Sequence, residues 1–147
     1  MHWEDIEGNE DVNKLLKLFN YFHDSCLKEL YMWSDHYVDN DLSMNTSAEL
    51  DHKVRVIFQR QDKNPSAIEV FFENVTELHI IPTSENYDSI IHEATFLFED
   101  GTFYWADVFG WKPEDKLTKE ASWLSSKKVK WRDVSGWMGN KLRYGTE

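Results

Sequence analysis

Val54-Arg55-Val56-Ile57-Phe58-Gln59, then Asp62-Lys63-Asn64-Pro65-Ser66, then Ile68-Glu69-Val70-Phe71-Phe72-Glu73: this stretch decides the fold. Val54, Val56 and Phe58 alternate with Arg55 and Gln59, the period of a strand with one apolar face. The middle piece is turn chemistry. Ile68, Val70 and Phe72 then alternate with Glu69 and Glu73. Residues 54–72 therefore predict a β-hairpin.

Working outward, the same period recurs. Cys26 to Trp33 reads as a first strand with imperfect alternation, and Asp35 to Met44 as a polar, acidic loop or hairpin end. Leu78, Ile80 and Ile81 form a short apolar piece stopped by Pro82, and Thr83 to Asp88 reads as a loop. Ala94, Phe96 and Phe98 alternate with Glu93, Thr95 and Glu99. Asp100-Gly101 then predicts a tight turn, because Gly readily takes the positive φ such turns demand. Phe103 and Trp105, with Asp107 beyond them, share a face on the return strand. The period changes to three and four only near the start. Val12, Leu15, Leu16, Phe19 and Phe22 predict a helix over 11–22, with Asn9 or Asp11 as its cap.

Links this short exclude helical crossovers, so the strands are expected to run antiparallel. The fold class read here is α+β, mainly β: an N-terminal helix packed on a twisted antiparallel sheet or small sandwich. One domain is expected over 1–147, with the helix at about 11–22 and a β-rich body at about 26–109. A Trp-rich basic tail follows at 111–147, with one more strand around Lys127 to Trp131 and a short terminal helix or coil. The chain has 147 residues and carries nine Phe, seven Trp and six Tyr. That is enough aromatic area for one core and for a binding surface besides.

Charge is unevenly placed. Residues 1–51 hold twelve acids against three bases, 52–110 ten against four, and 111–147 five against nine, for a net −11. An acidic body disfavours polynucleotides and favours basic proteins. The single cysteine, Cys26, excludes an internal disulfide. The start, Met1-His2-Trp3-Glu4-Asp5, lacks the basic and apolar regions of a signal peptide, and no apolar run approaches a membrane span. A cytoplasmic protein with no membrane association is expected.

Chemistry-bearing motifs are sparse. There is no phosphate loop, dinucleotide fingerprint, H-E-x-x-H or paired C-x-x-C. Phe22-His23-Asp24-Ser25-Cys26 concentrates a base and two nucleophile types, but neighbours on an extended chain diverge, so a helix-ending turn is expected. Asp35, His36, Asp39 and Asp41 lack the glycine and spacing of a calcium loop. His79 and His92 fall on expected strands and lack a third ligand unless Asp107 or Glu77 supplies it. Glu69, Glu73, Glu93 and Glu99 are expected to form an ordinary solvent-facing row. Trp123, Lys127, Lys128, Lys130, Trp131, Arg132 and Trp137 mix rings with cations as a base-stacking surface would. In an acidic chain, however, the rings are expected on the sheet and the lysines on acidic groups of the same chain. No catalytic residue, metal ligand or cofactor is assigned.

The run Phe22-His23-Asp24-Ser25 is followed by Val54 to Phe58, by Ile68-Glu69-Val70-Phe71-Phe72-Glu73-Asn74-Val75-Thr76-Glu77-Leu78, and by Ala94 to Phe98 before Asp100-Gly101. This pattern, over residues 22–108, resembles a loose group of small bacterial β-rich proteins with a leading Phe-His-Asp. Some members of that group resemble immunity proteins of polymorphic or contact-dependent toxin systems. The resemblance implies a protein that binds and masks a toxin, and it carries no catalytic residues.

Three functions are therefore expected, in order, the third being a housekeeping structural or oligomeric protein with a self-complementary apolar patch. The first is a non-enzymatic protein-binding module, of the immunity type, that occludes a basic partner with acidic groups around a ring. Trp33, Asp35, Asp39 and Asp41 are its candidate binding residues. The alternative is a small-molecule-binding or hydrolytic site in a sheet concavity, built from His23, His79, His92 and nearby carboxylates.

Overall fold

The structure, a computed structural model, describes residues 2–141. It is mainly β, with one α-helix against one face of an antiparallel sheet. In chain order the elements are β1 (Glu4–Ile6), α1 (Asn9–Leu18), β2 (Ser25–Trp33), β3 (Tyr37–Val38), β4 (Met44–Asn45), β5 (Lys53–Arg60), β6 (Ala67–His79), β7 (Thr95–Glu99), β8 (Thr102–Ala106) and β9 (Trp123–Asp133). The seven-stranded sheet has the order β2-β5-β6-β9-β8-β7, with β1 also on β9. Strands β3 and β4 make a separate two-stranded ribbon between β2 and β5. Both expected hairpins form: β5 meets β6 with Val56 opposite Val70, and β7 meets β8 across Asp100-Gly101. Gly101 takes φ +75° there, and Asp100 φ +50°.

The tail departs from expectation. Its strand is longer than 127–131 and lies inside the sheet. One edge of β9 pairs with β6 along its length. Its other edge is shared: β8 takes the first half, with Phe103 opposite Ser126, and β1 takes the second, with Ile6 opposite Val129. Periodicity is blurred because Trp123 to Ser126 are all buried, so both faces are covered there and no alternation marks the strand. A short 3₁₀ turn, Ser135–Trp137, follows. Whatever of the terminal helix or coil falls at 142–147 lies outside the described residues.

The helix is shorter than 11–22. It runs Asn9–Leu18, and then Asn20, Tyr21 and Phe22 take positive φ values of 48°, 56° and 62°. Left-handed residues cannot extend a right-handed helix, so the chain reverses there. The apolar face survives the reversal. Phe19 and Phe22 are fully buried, and Phe22 meets Phe58 edge-on at 4.9 Å and Trp105 at 5.9 Å. Neither expected cap forms: Gly8 is the N-cap residue and no side chain caps the first turn. Asp11 accepts the Glu7 N–H at 2.9 Å, whereas the Asn9 amide bonds both backbone groups of Phe98 and ties α1 to β7. With Val12, Leu15 and Leu16 the helix buries one stripe on Val54, Val56, Phe58, Ile68, Val70 and Phe72. Each such side chain contributes about 1.5–3 kcal/mol by leaving water.

Candidate functional site

Alternate residues of the same strands point away from the helix, onto a face that no second layer covers throughout. Each end of that face has its own small cluster. At one end Ile57, Ala67 and Val134 pack with Trp137. At the other Ala106, Trp111, Ala121 and Trp123 pack together. Between them lies a lattice of rings and cations. Trp33 sits 5.5 Å from Phe71 and 5.1 Å from Tyr31, and Trp3 sits 5.8 Å from Phe71. The Lys130 ammonium lies over Phe71 and Trp3, and the Arg132 guanidinium stacks between Trp3 at 4.3 Å and Trp137 at 5.1 Å.

Glu69 holds the centre of this lattice and corrects the expectation of a solvent-facing row. Its side chain is 1% exposed. Arg55 of β5 donates to it at 2.6 and 3.0 Å, and Arg132 of β9 donates at 2.8 Å. Alternation placed Glu69 on the far face correctly. It is buried because arginines from both flanking strands close over it, and Trp3 and Trp137 cover Arg132. Three charge-assisted bonds replace the water a buried carboxylate loses.

The β3–β4 ribbon is the second distinctive feature. Seven of the sixteen large apolar side chains exposed among the described residues fall between 31 and 50: Tyr31, Met32, Tyr37, Val38, Leu42, Met44 and Leu50. Leu42, at the ribbon's turn, is 84% exposed. The turn is held by carboxylates. Asp39 accepts the N–H groups of Asp41 and Ser43 at 3.3 Å and the Asn45 amide at 3.1 Å. Asp41 accepts the Ser43 N–H at 3.0 Å. The hydrogen bond with the Asp39 side chain, then those from Ser43, hold Asp41 below its ordinary carboxylate pKa.

The four binding residues read from the sequence thus take different roles. Trp33 belongs to the ring lattice. Asp35 accepts the Lys53 ammonium at 2.6 Å beside it. Asp39 shapes the ribbon turn, and Asp41 stands fully in solvent at its tip.

The expected histidine site does not assemble. His23 donates its Nδ1–H to the His92 carbonyl, 2.7 Å away, and its Nε2 lies 3.2 Å from Asp24. Ser25 donates to the Phe22 carbonyl at 2.6 Å, so Phe22 to Asp24 form a turn, and Ser25 and Cys26 already begin β2. His79 stacks on Trp123 at 4.6 Å near Glu77, and His92 lies outside the strands it was expected to occupy. Two clefts of about 490 Å³ are present, one between β1 and α1 and one beside Cys26, and neither is lined by a histidine. The basic tail behaves as its composition indicated in part: Trp123 is buried, Arg132 meets Glu69, and Lys116 meets Glu77 at 3.2 Å.

A different convergence was missed. His36 and His52 both present Nδ1 to Asp51, at 2.9 and 3.4 Å, where β2 and β5 run into the ribbon. The signal was the repeated Asp-His pair, Asp35-His36 and Asp51-His52, at the two roots of one β excursion. No protein-family model matches the chain, and no curated protein and no solved structure is significantly similar to it.

Proposed function

We propose that this protein is a non-enzymatic binding module for a basic polypeptide, with the β3–β4 ribbon as its docking element and the adjoining ring lattice as its anchor. The carrying observation is the concentration of exposed apolar side chains on and around the ribbon, in a chain of net charge −11. Exposed apolar side chains interspersed with acidic groups are what a protein interface presents. Trp33 and Tyr31 add rings of the type that dominate binding energy, and Asp35 and Asp41 add the sign that speeds encounter with a cationic partner. The resemblance of residues 22–108 to a loose group, some of whose members resemble immunity proteins, is in keeping with a partner that is a toxin domain. A cytoplasmic setting fits a chain with one free cysteine, and no helix among the described residues is long and apolar enough to cross a membrane.

The test is affinity capture from the producing cell with three baits: wild type, Leu42→Ser/Met44→Ser, and Asp41→Asn. A basic polypeptide retained by wild type and weakened at least about tenfold by the double variant supports the reading. Its association rate should fall with added salt, and less steeply for Asp41→Asn. Rescue of cells expressing that partner then distinguishes immunity from other binding. A partner indifferent to both variants, or no partner at all, overturns it.

A further inference from the structure

We propose that His36, Asp51 and His52 bind one divalent first-row transition ion, which clamps the root of the ribbon. This does not rest on the ribbon's having a protein partner. Each of the three residues offers one ligand atom, and these atoms lie within 4.8 Å of one another. Four-coordinate ligands at about 2.0–2.2 Å from a shared ion stand about 3.3–3.6 Å apart, inside that limit. Two imidazoles and one carboxylate are the donor set of borderline ions such as Zn²⁺, Co²⁺ and Ni²⁺, and are too nitrogen-rich for Ca²⁺ or Mg²⁺.

The second observation is an unmet demand. Asp51 is nine-tenths buried, with its side chain 10% exposed. Its Oδ2 and the Nδ1 of His36 are both shielded from solvent, and neither has a hydrogen-bond partner. They lie 2.9 Å apart, but the approach is too oblique for a bond between them. The His52 contact, at 3.4 Å, is long. Buried polar atoms are ordinarily satisfied, and one ion in front of the carboxylate satisfies both. The imidazole rings stand at 78° to each other with centroids 5.4 Å apart, so they meet edge to face and leave both Nδ1 atoms toward Asp51. The adjacent cation, Lys53, is already held by Asp35 at 2.6 Å. Three protein ligands leave a coordination position open, for water or for an incoming side chain.

The experiment is calorimetric titration of the full, tag-free chain with Zn²⁺ alone, repeated with Co²⁺ and followed by visible absorption. One equivalent is expected to bind. His52→Gln keeps the fold, because His52 is largely exposed, and should weaken binding at least about tenfold, since losing even an outer-shell partner costs 10–100-fold. His36→Gln should match it, and His79→Gln should bind as wild type does. Zinc should also slow amide hydrogen exchange over residues 37–45 in wild type and not in His52→Gln. Absence of stoichiometric binding overturns the proposal. So does binding that His36→Gln and His52→Gln leave intact, or binding seen only with dimerisation in sedimentation.

Discussion

The two faces of the seven-stranded sheet are written in alternate letters of the same strands, yet they hold together by different means. Under α1, Val54, Val56, Phe58, Ile68, Val70 and Phe72 are buried by hydrocarbon alone. On the far side Arg55, Glu69, Phe71, Lys130 and Arg132 form a half-wet mosaic in which charge is neutralised and rings shield the charge. The helix side needs only volume and shape, so many sequences would fill it. The far side needs particular partners at particular registers, and it leaves rings at the surface. Stability is thus concentrated on one face, and the other is free to present chemistry to a partner.

The comparison can be broken most forcefully on the helix side. Phe72→Ala removes a fully buried ring and should cost about 3–5 kcal/mol in urea unfolding. A loss under about 1 kcal/mol would mean that this face is not the main source of stability. On the far side, Glu69→Ala leaves two arginines facing each other without their carboxylate. It should cost about 3 kcal/mol, whereas a joint change of Arg55, Glu69 and Arg132 to apolar residues should recover most of that loss. Arg132→Lys loses the flat stacking between Trp3 and Trp137 and should cost about 1 kcal/mol by the same measurement. Leu42→Ser sharpens the distinction from the other end: stability should shift by no more than about 0.5 kcal/mol, because the residue is already in water.

Asp107 offers the smallest effect and a sign that can be checked. Burial raises its pKa, partly offset by the Ser122 N–H it accepts at 3.0 Å. Its ionisation is therefore harder in the folded protein than in the unfolded one. The resulting penalty is absent below the unfolded pKa and complete once pH exceeds the folded value. Asp107→Asn should accordingly raise the melting temperature slightly at pH 7 and leave it unchanged near pH 3, provided that Asn still accepts from Ser122.

Much of the fold was legible because strand alternation reports burial directly. The β5–β6 and β7–β8 hairpins carry that period on their helix-facing side, although Ile57, Phe71 and Leu97 put apolar residues on the other, and their turns carry fitting residues. What escaped was set by contacts distant in sequence. The helix was read through to Phe22 because its apolar spacing continues, although Asn20 to Phe22 had turned left-handed to bring Phe22 against Trp105. Glu69 was read as solvent-facing because nothing local says that Arg132, from β9, will close over it. In the candidate site, the acidic segment 35–41 was legible, since polar runs flag excursions from a sheet. The meeting of His36 with His52 was not, because it depends on where β2 and β5 converge.

The position of β9 bears on how the molecule is made. Every neighbour it serves, β6, β8 and β1, precedes it in the chain. A nascent polypeptide must therefore wait, with β6 offering a bare edge, until residues 123–133 have been synthesised. Such dependence on late, far-reaching pairing favours slow maturation and exposes the emerging chain to aggregation, so chaperone demand should be greatest just before that last strand is available.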